Sequence, residues 1–142
     1  MQFSIGRRTT DGTNAAAALE IIAGTNPAKI LEIGISLVNA TASIIGLGRP
    51  AAKGITPTAP VVLLGENSID GVSNVSTAIA WATGPTIPAN FQRRISLPAV
   101  AGSFIVWTFK NGLLVPAGAS VVLWNLAANS VLEVYIVSGE QS

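Results

Sequence analysis

Short apolar runs separated by turn-forming residues fill this chain, and that pattern most constrains its fold. Fourteen glycines and eight prolines in 142 residues fall mostly between the runs. No segment keeps the period of about 3.6 residues that marks an amphipathic helix. The clearest run, Lys29–Asn39, places an apolar residue at every second position from Leu31 to Leu37, as in a strand with one buried face. The pattern therefore predicts an all-β fold.

Further strands are predicted where β-branched and aromatic residues concentrate. They are Ser43–Leu47, Val61–Leu64, Thr77–Ala82, Phe104–Phe109, Val121–Leu126 and Val131–Val137. The run Ala15–Ile22 fits either a helix or a strand, and Ser43–Leu47 is expected to form a hairpin with Lys29–Asn39. The three prolines of Arg49–Pro60 predict a loop there. About eight short strands with turns between them favour a jelly-roll-like β-sandwich with little helix.

The chain length suits a single domain. We expect one β-sandwich over residues 14–142. The polar segment Met1–Thr13 shows no periodicity, so it is expected to be an N-terminal arm, or alternatively an edge strand that completes the sandwich. No secretory signal is evident. The long uncharged stretches Gly71–Gln92 and Asn111–Leu132 contain prolines and polar residues, which argues against membrane spans.

Charged residues are scarce in this chain. They make up 11% of it, against about 25% in an ordinary soluble domain, while hydrophobic residues make up 49%. Such a surface favours association with other subunits. The absence of His and Cys removes imidazole bases, thiolate nucleophiles and the usual zinc ligands. We therefore expect no enzymatic activity, no metal and no cofactor, and the net charge of +1 argues against nucleic acid.

Basic residues in loop-like segments are the candidate contact residues. A guanidinium group suits paired hydrogen bonds with carboxylates across an interface. Two apolar residues near the N-terminus would add an apolar strip beside the arginines. The alternative is that these are ordinary solvated charges. The candidates are Phe3, Ile5, Arg7, Arg8, Arg49, Lys53, Arg93 and Arg94.

Aromatic residues and carboxylates leave a sugar-binding function open. Five aromatic residues lie within apolar runs, so they are expected in the core, with some serving as interface anchors: Trp81, Trp107, Phe109, Trp124 and Tyr135. A carbohydrate-binding module would need an exposed aromatic beside acidic or amide groups, and Trp81 near Thr83–Asn90 is the one hint of this.

Three stretches carry a resemblance to a known class of proteins. They are EIGISLVNATASIIGLGRPAAKGITPTAPVVLLGE, TAIAWATGPTIPANFQRRISLP and VWTFKNGLLVPAGASVVLWNLAANSVLEVYIV. From about Glu32 to Val137 the chain resembles small virion proteins of tailed bacteriophages, in which a jelly-roll or similar β-sandwich decorates the capsid. The resemblance implies a cement protein on the outer capsid surface. It would be a homotrimer that bridges capsomers of the major capsid protein, with no nucleic-acid or membrane partner.

The resemblance also leaves a second virion role open. Related small β-sandwich proteins serve in phage tails and fibres. In the decoration role, the candidate residues given above become candidate capsid contacts.

Overall fold

The computed structural model describes residues 1–10, 16–127 and 130–140. Within these residues the chain forms thirteen β-strands and no helix, so the all-β prediction is confirmed. The strands are β1 (Gln2–Arg8), β2 (Ala16–Ala23), β3 (Ala28–Leu37), β4 (Ser43–Gly48), β5 (Ile55–Pro57), β6 (Val61–Val62), β7 (Leu64–Gly65), β8 (Val75–Ala78), β9 (Trp81–Thr83), β10 (Arg93–Leu97), β11 (Phe104–Val115), β12 (Ser120–Asn125) and β13 (Leu132–Gly139).

Eight of these strands build a two-layered sandwich. Sheet one contains them in the order β11-β3-β13-β1, and sheet two in the order β10-β4-β12-β2, with antiparallel pairing throughout. Along the chain, these eight strands lie alternately in sheet one and sheet two. The exception is β4 and β10, which follow each other and pair within sheet two. This connectivity is that of a jelly roll, so the predicted fold class is confirmed.

The inward-facing side chains of the two sheets form one hydrophobic core. Alternation along the strands supplies it, since every second residue points inward in β13 and, from Ile33 to Leu37, in β3. Burying an aliphatic or Phe side chain contributes about 1.5–3 kcal/mol. The largest fully buried side chains include Phe3, Leu19, Ile21, Ile33, Leu123 and Ile136.

A long insertion, residues 49–92, connects β4 to β10. Its strands β6 and β8 extend sheet two beyond β2, and its strand β7 extends sheet one beyond β1. Leu63 is buried where the chain crosses from one sheet to the other. The insertion therefore closes one lateral side of the sandwich. It also contains a separate β5–β9 pair, so part of the predicted Arg49–Pro60 loop is a short strand.

The insertion also covers the outer face of sheet two. All six residues of β12 are buried, although they alternate between the two faces of the sheet. Glu20 of β2 is 1% exposed, and its carboxylate accepts hydrogen bonds from Trp81 Nε1 (2.9 Å) and the Gly54 backbone N–H (3.1 Å). A third donor is the Ser120 hydroxyl at 2.7 Å. Because a buried carboxylate requires such donors, Glu20 fastens the insertion onto sheet two.

Two local expectations from the sequence are wrong. β3 and β4 form no hairpin, because β3 pairs with β11 and β13 in sheet one while β4 pairs with β10 and β12 in sheet two. Their apolar faces pack toward each other across the core, so the connection crosses between layers. β10 was absent from the predicted strands because Arg93 and Arg94 mark its first half as polar.

Candidate interaction surface on sheet one

The N-terminal segment contributes strand β1 to sheet one, where it lies between β13 and β7 rather than at the edge of the sheet. β1 pairs with β13 along its whole length, and Phe3 and Ser4 also pair with β7. Phe3 is fully buried, and Ile5 is half-buried against the core. These two residues do not supply the exposed apolar strip expected of them, because their side chains pack inside the sandwich. The expected boundary at Thr13 lies outside the described residues.

Arg7 and Arg8 point to opposite faces of β1. Arg7 Nη1 donates to the backbone carbonyl (3.1 Å) and hydroxyl (3.3 Å) of Thr77 on β8, so it joins the two sheets. Partial burial lowers the pKa of Arg7 from its ordinary value. Arg8 lies on the outer face of sheet one, where it forms an ion pair with Glu133. Of the two, Arg8 is the more exposed.

The other four basic candidates lie away from Arg8. Arg49 donates to a backbone carbonyl of β11 at 2.9 Å, and Lys53 donates to a carbonyl of the β11–β12 turn at 2.9 Å. The guanidinium of Arg93 lies 5.1 Å from the centre of the Phe109 ring, within cation–π range. Arg94 is exposed on β10. The structure therefore does not gather the eight candidates into one surface.

Two glycines shape the outer face of sheet one. The register places Gly34 of β3, Tyr135 of β13 and Gly6 of β1 side by side. A Cβ atom at Gly34 would lie 2.0 Å from Cε1 of Tyr135, so the ring occupies space that any side chain there would need. The Tyr135 hydroxyl donates to Glu32 Oε2 at 2.9 Å. This hydrogen bond, with desolvation and the charge of Glu32, raises the pKa of Tyr135.

A depression of about 460 Å³ lies beside the Tyr135 ring. Phe104 and Val106 of β11 line it, with 71% and 39% of their surface exposed, and Tyr135 is 39% exposed. Glu133 lines it as well and carries the ion pair with Arg8. We call the surface formed by Phe104, Val106, Glu133 and Tyr135 the sheet-one patch. Contiguous exposed apolar side chains of this kind mark interaction surfaces.

Tyr135 was missed as a surface residue because it lies in an apolar run. The signal was present in the alternation of that run, which puts Tyr135 on the same face as the charged Glu133. Trp81 was the one aromatic that hinted at the carbohydrate-binding alternative, but it is half-buried with its indole N–H bonded to Glu20. Trp81 thus holds the insertion in place, and Tyr135 is an exposed aromatic beside a carboxylate.

Two further findings concern the described part of the chain only. Within residues 1–10, 16–127 and 130–140, no group of three or more His, Cys, Asp or Glu side chains is placed to hold a metal ion. Across the same ranges, no helix is long and apolar enough to cross a membrane.

Comparisons with known proteins add little to this geometry. No protein-family model matches the chain, and no curated protein sequence matches it. Among solved structures, the crystal structure of a decameric BFDV capsid protein is similar at 8% sequence identity, with 97% of this chain and 94% of that chain covered. The TM-score is 0.22, which is too low for this likeness to carry an argument.

Proposed function

We propose that this chain is a structural virion protein that decorates the outer surface of a bacteriophage capsid. As a homotrimer, it would bridge neighbouring subunits of the major capsid protein and stabilise the shell. The resemblance of residues 32–137 to small virion proteins supports this role, and so does the low charge content of 11%. The proposed activity is adhesion, with no catalytic step.

One observation carries the proposal, namely the contrast between the outer faces of the two sheets. The insertion covers sheet two, whose strand β12 is buried on both faces. Among the residues that the structure describes, none covers the sheet-one patch in this way, and Phe104 and Tyr135 are exposed there. A chain that covers one sheet and leaves aromatic side chains bare on the other is suited to binding by that bare face.

The magnitudes favour the apolar part of the patch as the source of affinity. A standard interface covers about 800 Å² on each partner, a small share of the 6933 Å² that this chain exposes. The Arg8–Glu133 ion pair is exposed, and such pairs contribute about 0.2–1 kcal/mol. Aromatic anchors such as Phe104 and Tyr135 contribute about 2 kcal/mol or more when they are buried at an interface. Three linked copies would then multiply a modest single-site affinity.

Co-sedimentation with capsids that lack this protein tests the proposal. We expect the wild-type chain to sediment with the capsids, and Phe104→Ser or Tyr135→Ser to bind at least about tenfold more weakly. Ile55→Ser is the matched control, because Ile55 is 60% exposed but lies on β5 of the insertion. If both patch variants bind the capsids as tightly as the wild type, the sheet-one patch is not the docking surface.

Two alternatives use the same patch. In a tail or fibre component, the chain would be located at the tail in electron micrographs of intact particles rather than over the shell. A carbohydrate-binding module is favoured by the exposed Tyr135 ring beside Glu32 and Glu133. Binding on a glycan array that is lost in Tyr135→Ser would support the carbohydrate-binding function over decoration.

A further inference from the structure

We propose that copies of this chain associate head to tail through their two lateral sides. The side formed by β10 and β11 of one copy would contact the side formed by β7 and the following loop of the next copy. This inference rests on the proposed function, since it assigns the contact that would build the trimer. The sheet-one patch then stays available for the capsid.

The β10–β11 side is basic. Arg93 and Arg94 lie on β10, Lys110 lies on β11, and Arg49 is hydrogen-bonded to a β11 carbonyl. Neither strand contains Asp or Glu. β11 is also the edge strand of sheet one, so one row of its backbone groups faces away from the sheet. We call this the basic side.

The opposite side is acidic. Residues 54–92 contain no Lys or Arg, and their two carboxylates, Glu66 and Asp70, both lie in the loop after β7. The base of this loop is held in place, because the backbone N–H of Glu66 donates to the Gln2 carbonyl at 2.9 Å. Within the loop, Asp70 Oδ2 accepts a hydrogen bond from the Asn67 backbone N–H at 3.2 Å. We call β7 and residues 66–72 the acidic side.

The acidic side also carries exposed apolar side chains on an anchored loop. Ile69 is 91% exposed, Val72 is 85% exposed and Leu64 of β7 is 66% exposed. Just beyond the loop, Glu140 accepts hydrogen bonds from the Ser73 hydroxyl (2.5 Å) and the Asn74 backbone N–H (2.9 Å). Exposed apolar side chains on a loop whose ends are hydrogen-bonded lose little conformational freedom when they bind. Its charge is complementary to the basic side.

The topology makes this contact intermolecular. β11 and β7 are the two edges of sheet one, with β3, β13 and β1 between them. Four strand spacings of about 4.8 Å separate the edges by about 19 Å, so the two sides of one copy cannot meet. A contact between unlike sides uses the basic side of one copy and the acidic side of the other, so the pair keeps one free side of each kind. Such contacts close into rings or run on as chains, whereas a two-fold pair joins like surfaces.

Cross-linking of cysteine variants tests the arrangement, because the chain contains no cysteine. Ile69→Cys marks the acidic side, and Asn111→Cys marks the basic side next to Lys110; both positions are exposed. A short bis-maleimide is the probe. We expect each variant alone to stay uncrosslinked, an equimolar mixture of the two to give covalent dimers, and the double variant to give species up to a trimer.

Charge reversal provides an independent measurement. Glu66→Lys is expected to lower the cross-linked yield of the mixture about fivefold, and adding Arg94→Glu on the partner is expected to restore part of it. Tyr135→Ser, which removes the sheet-one patch, should cross-link normally, so a failure of capsid docking is distinguishable from a failure of this contact. Dimers from either single variant alone would overturn the proposal in favour of a two-fold pair. No cross-linking in any sample would also overturn it.

Discussion

The ring of Tyr135 lies across Gly34 on the neighbouring strand, in the space that a side chain at position 34 would fill. The absence of a side chain at position 34 thus determines how the exposed ring of Tyr135 is presented on sheet one. With its hydroxyl bonded to Glu32, the ring is held against the sheet and borders the depression.

Replacing Gly34 with alanine should displace the Tyr135 ring and change the sheet-one patch. The new Cβ would lie 2.0 Å from Cε1, so the ring must move or the strands must shift. Overpacking of this kind costs about 1–3 kcal/mol, which urea unfolding would measure, and capsid binding should weaken in parallel. Gly71→Ala is the matched control, because open space surrounds that position. If Gly34→Ala binds capsids as tightly as the wild type, the Tyr135 ring does not have the docking role assigned to it.

Tyr135 should ionise above the ordinary tyrosine pKa of about 10. The folded state favours the protonated phenol, so its contribution to stability is present below the unfolded pKa and is lost as the pH rises through the folded value. Tyr135 is the single tyrosine of the chain, so the ultraviolet absorbance of tyrosinate reports this residue alone. Glu32→Gln should bring the midpoint down, whereas Glu133→Gln should leave it near the wild-type value. Equal titration midpoints in the wild type and both variants would exclude the Glu32 hydrogen bond as the cause of the raised pKa of Tyr135.

Loss of the Glu20 carboxylate should loosen the insertion. Glu20→Ala leaves the Trp81 indole, the Gly54 amide and the Ser120 hydroxyl without their acceptor. Each unsatisfied buried group costs about 1–3 kcal/mol, so we expect the free energy of unfolding to fall by about 3 kcal/mol or more. Glu66→Ala is the control, because Glu66 is exposed; it should change the free energy of unfolding by less than about 0.5 kcal/mol. Similar stability of these two variants would mean that Glu20 does not hold the insertion.

Deletion of residues 2–8 should prevent normal folding rather than affect docking alone. The deletion removes β1, which pairs with β13 and β7, and it removes the fully buried Phe3. Phe3→Ala alone should cost about 3–5 kcal/mol in urea unfolding. Arg8→Ala should cost less than about 1 kcal/mol, because its ion pair is exposed. A deletion variant with wild-type circular dichroism and stability would restore the view of this segment as a free arm.

Alternation and turn chemistry were enough to predict the fold class. Lys29–Asn39 and Val131–Val137 correspond to β3 and β13. The period of two separated inner from outer residues in β13 and from Ile33 to Leu37 of β3. It was wrong at Leu31, which is partly exposed while Ile30 is fully buried, because the register between β3 and β13 shifts there. The same period would have placed Tyr135 outside beside Glu133. That signal was masked because a run such as VLEVYIV is apolar enough to suggest burial on both faces.

The cover over sheet two could not be predicted from local sequence. It depends on Glu20 meeting Trp81 and Gly54, which are remote in sequence and are brought together by the tertiary fold. The polar appearance of 2–8 likewise concealed a strand, since Phe3 becomes buried only when β13 lies beside it. The pairing of Gly34 with Tyr135 depends on the register between β3 and β13, which no single segment specifies.

The insertion over sheet two makes the two outer faces of the sandwich different from each other. Strands buried on both faces, as β12 is, have no bare surface left for another subunit to stack upon. In the proposed role, a subunit with its exposed aromatic side chains on one face would attach in a single orientation, with the insertion turned away from the capsid. In the proposed decoration role, such subunits would form a coat one molecule thick.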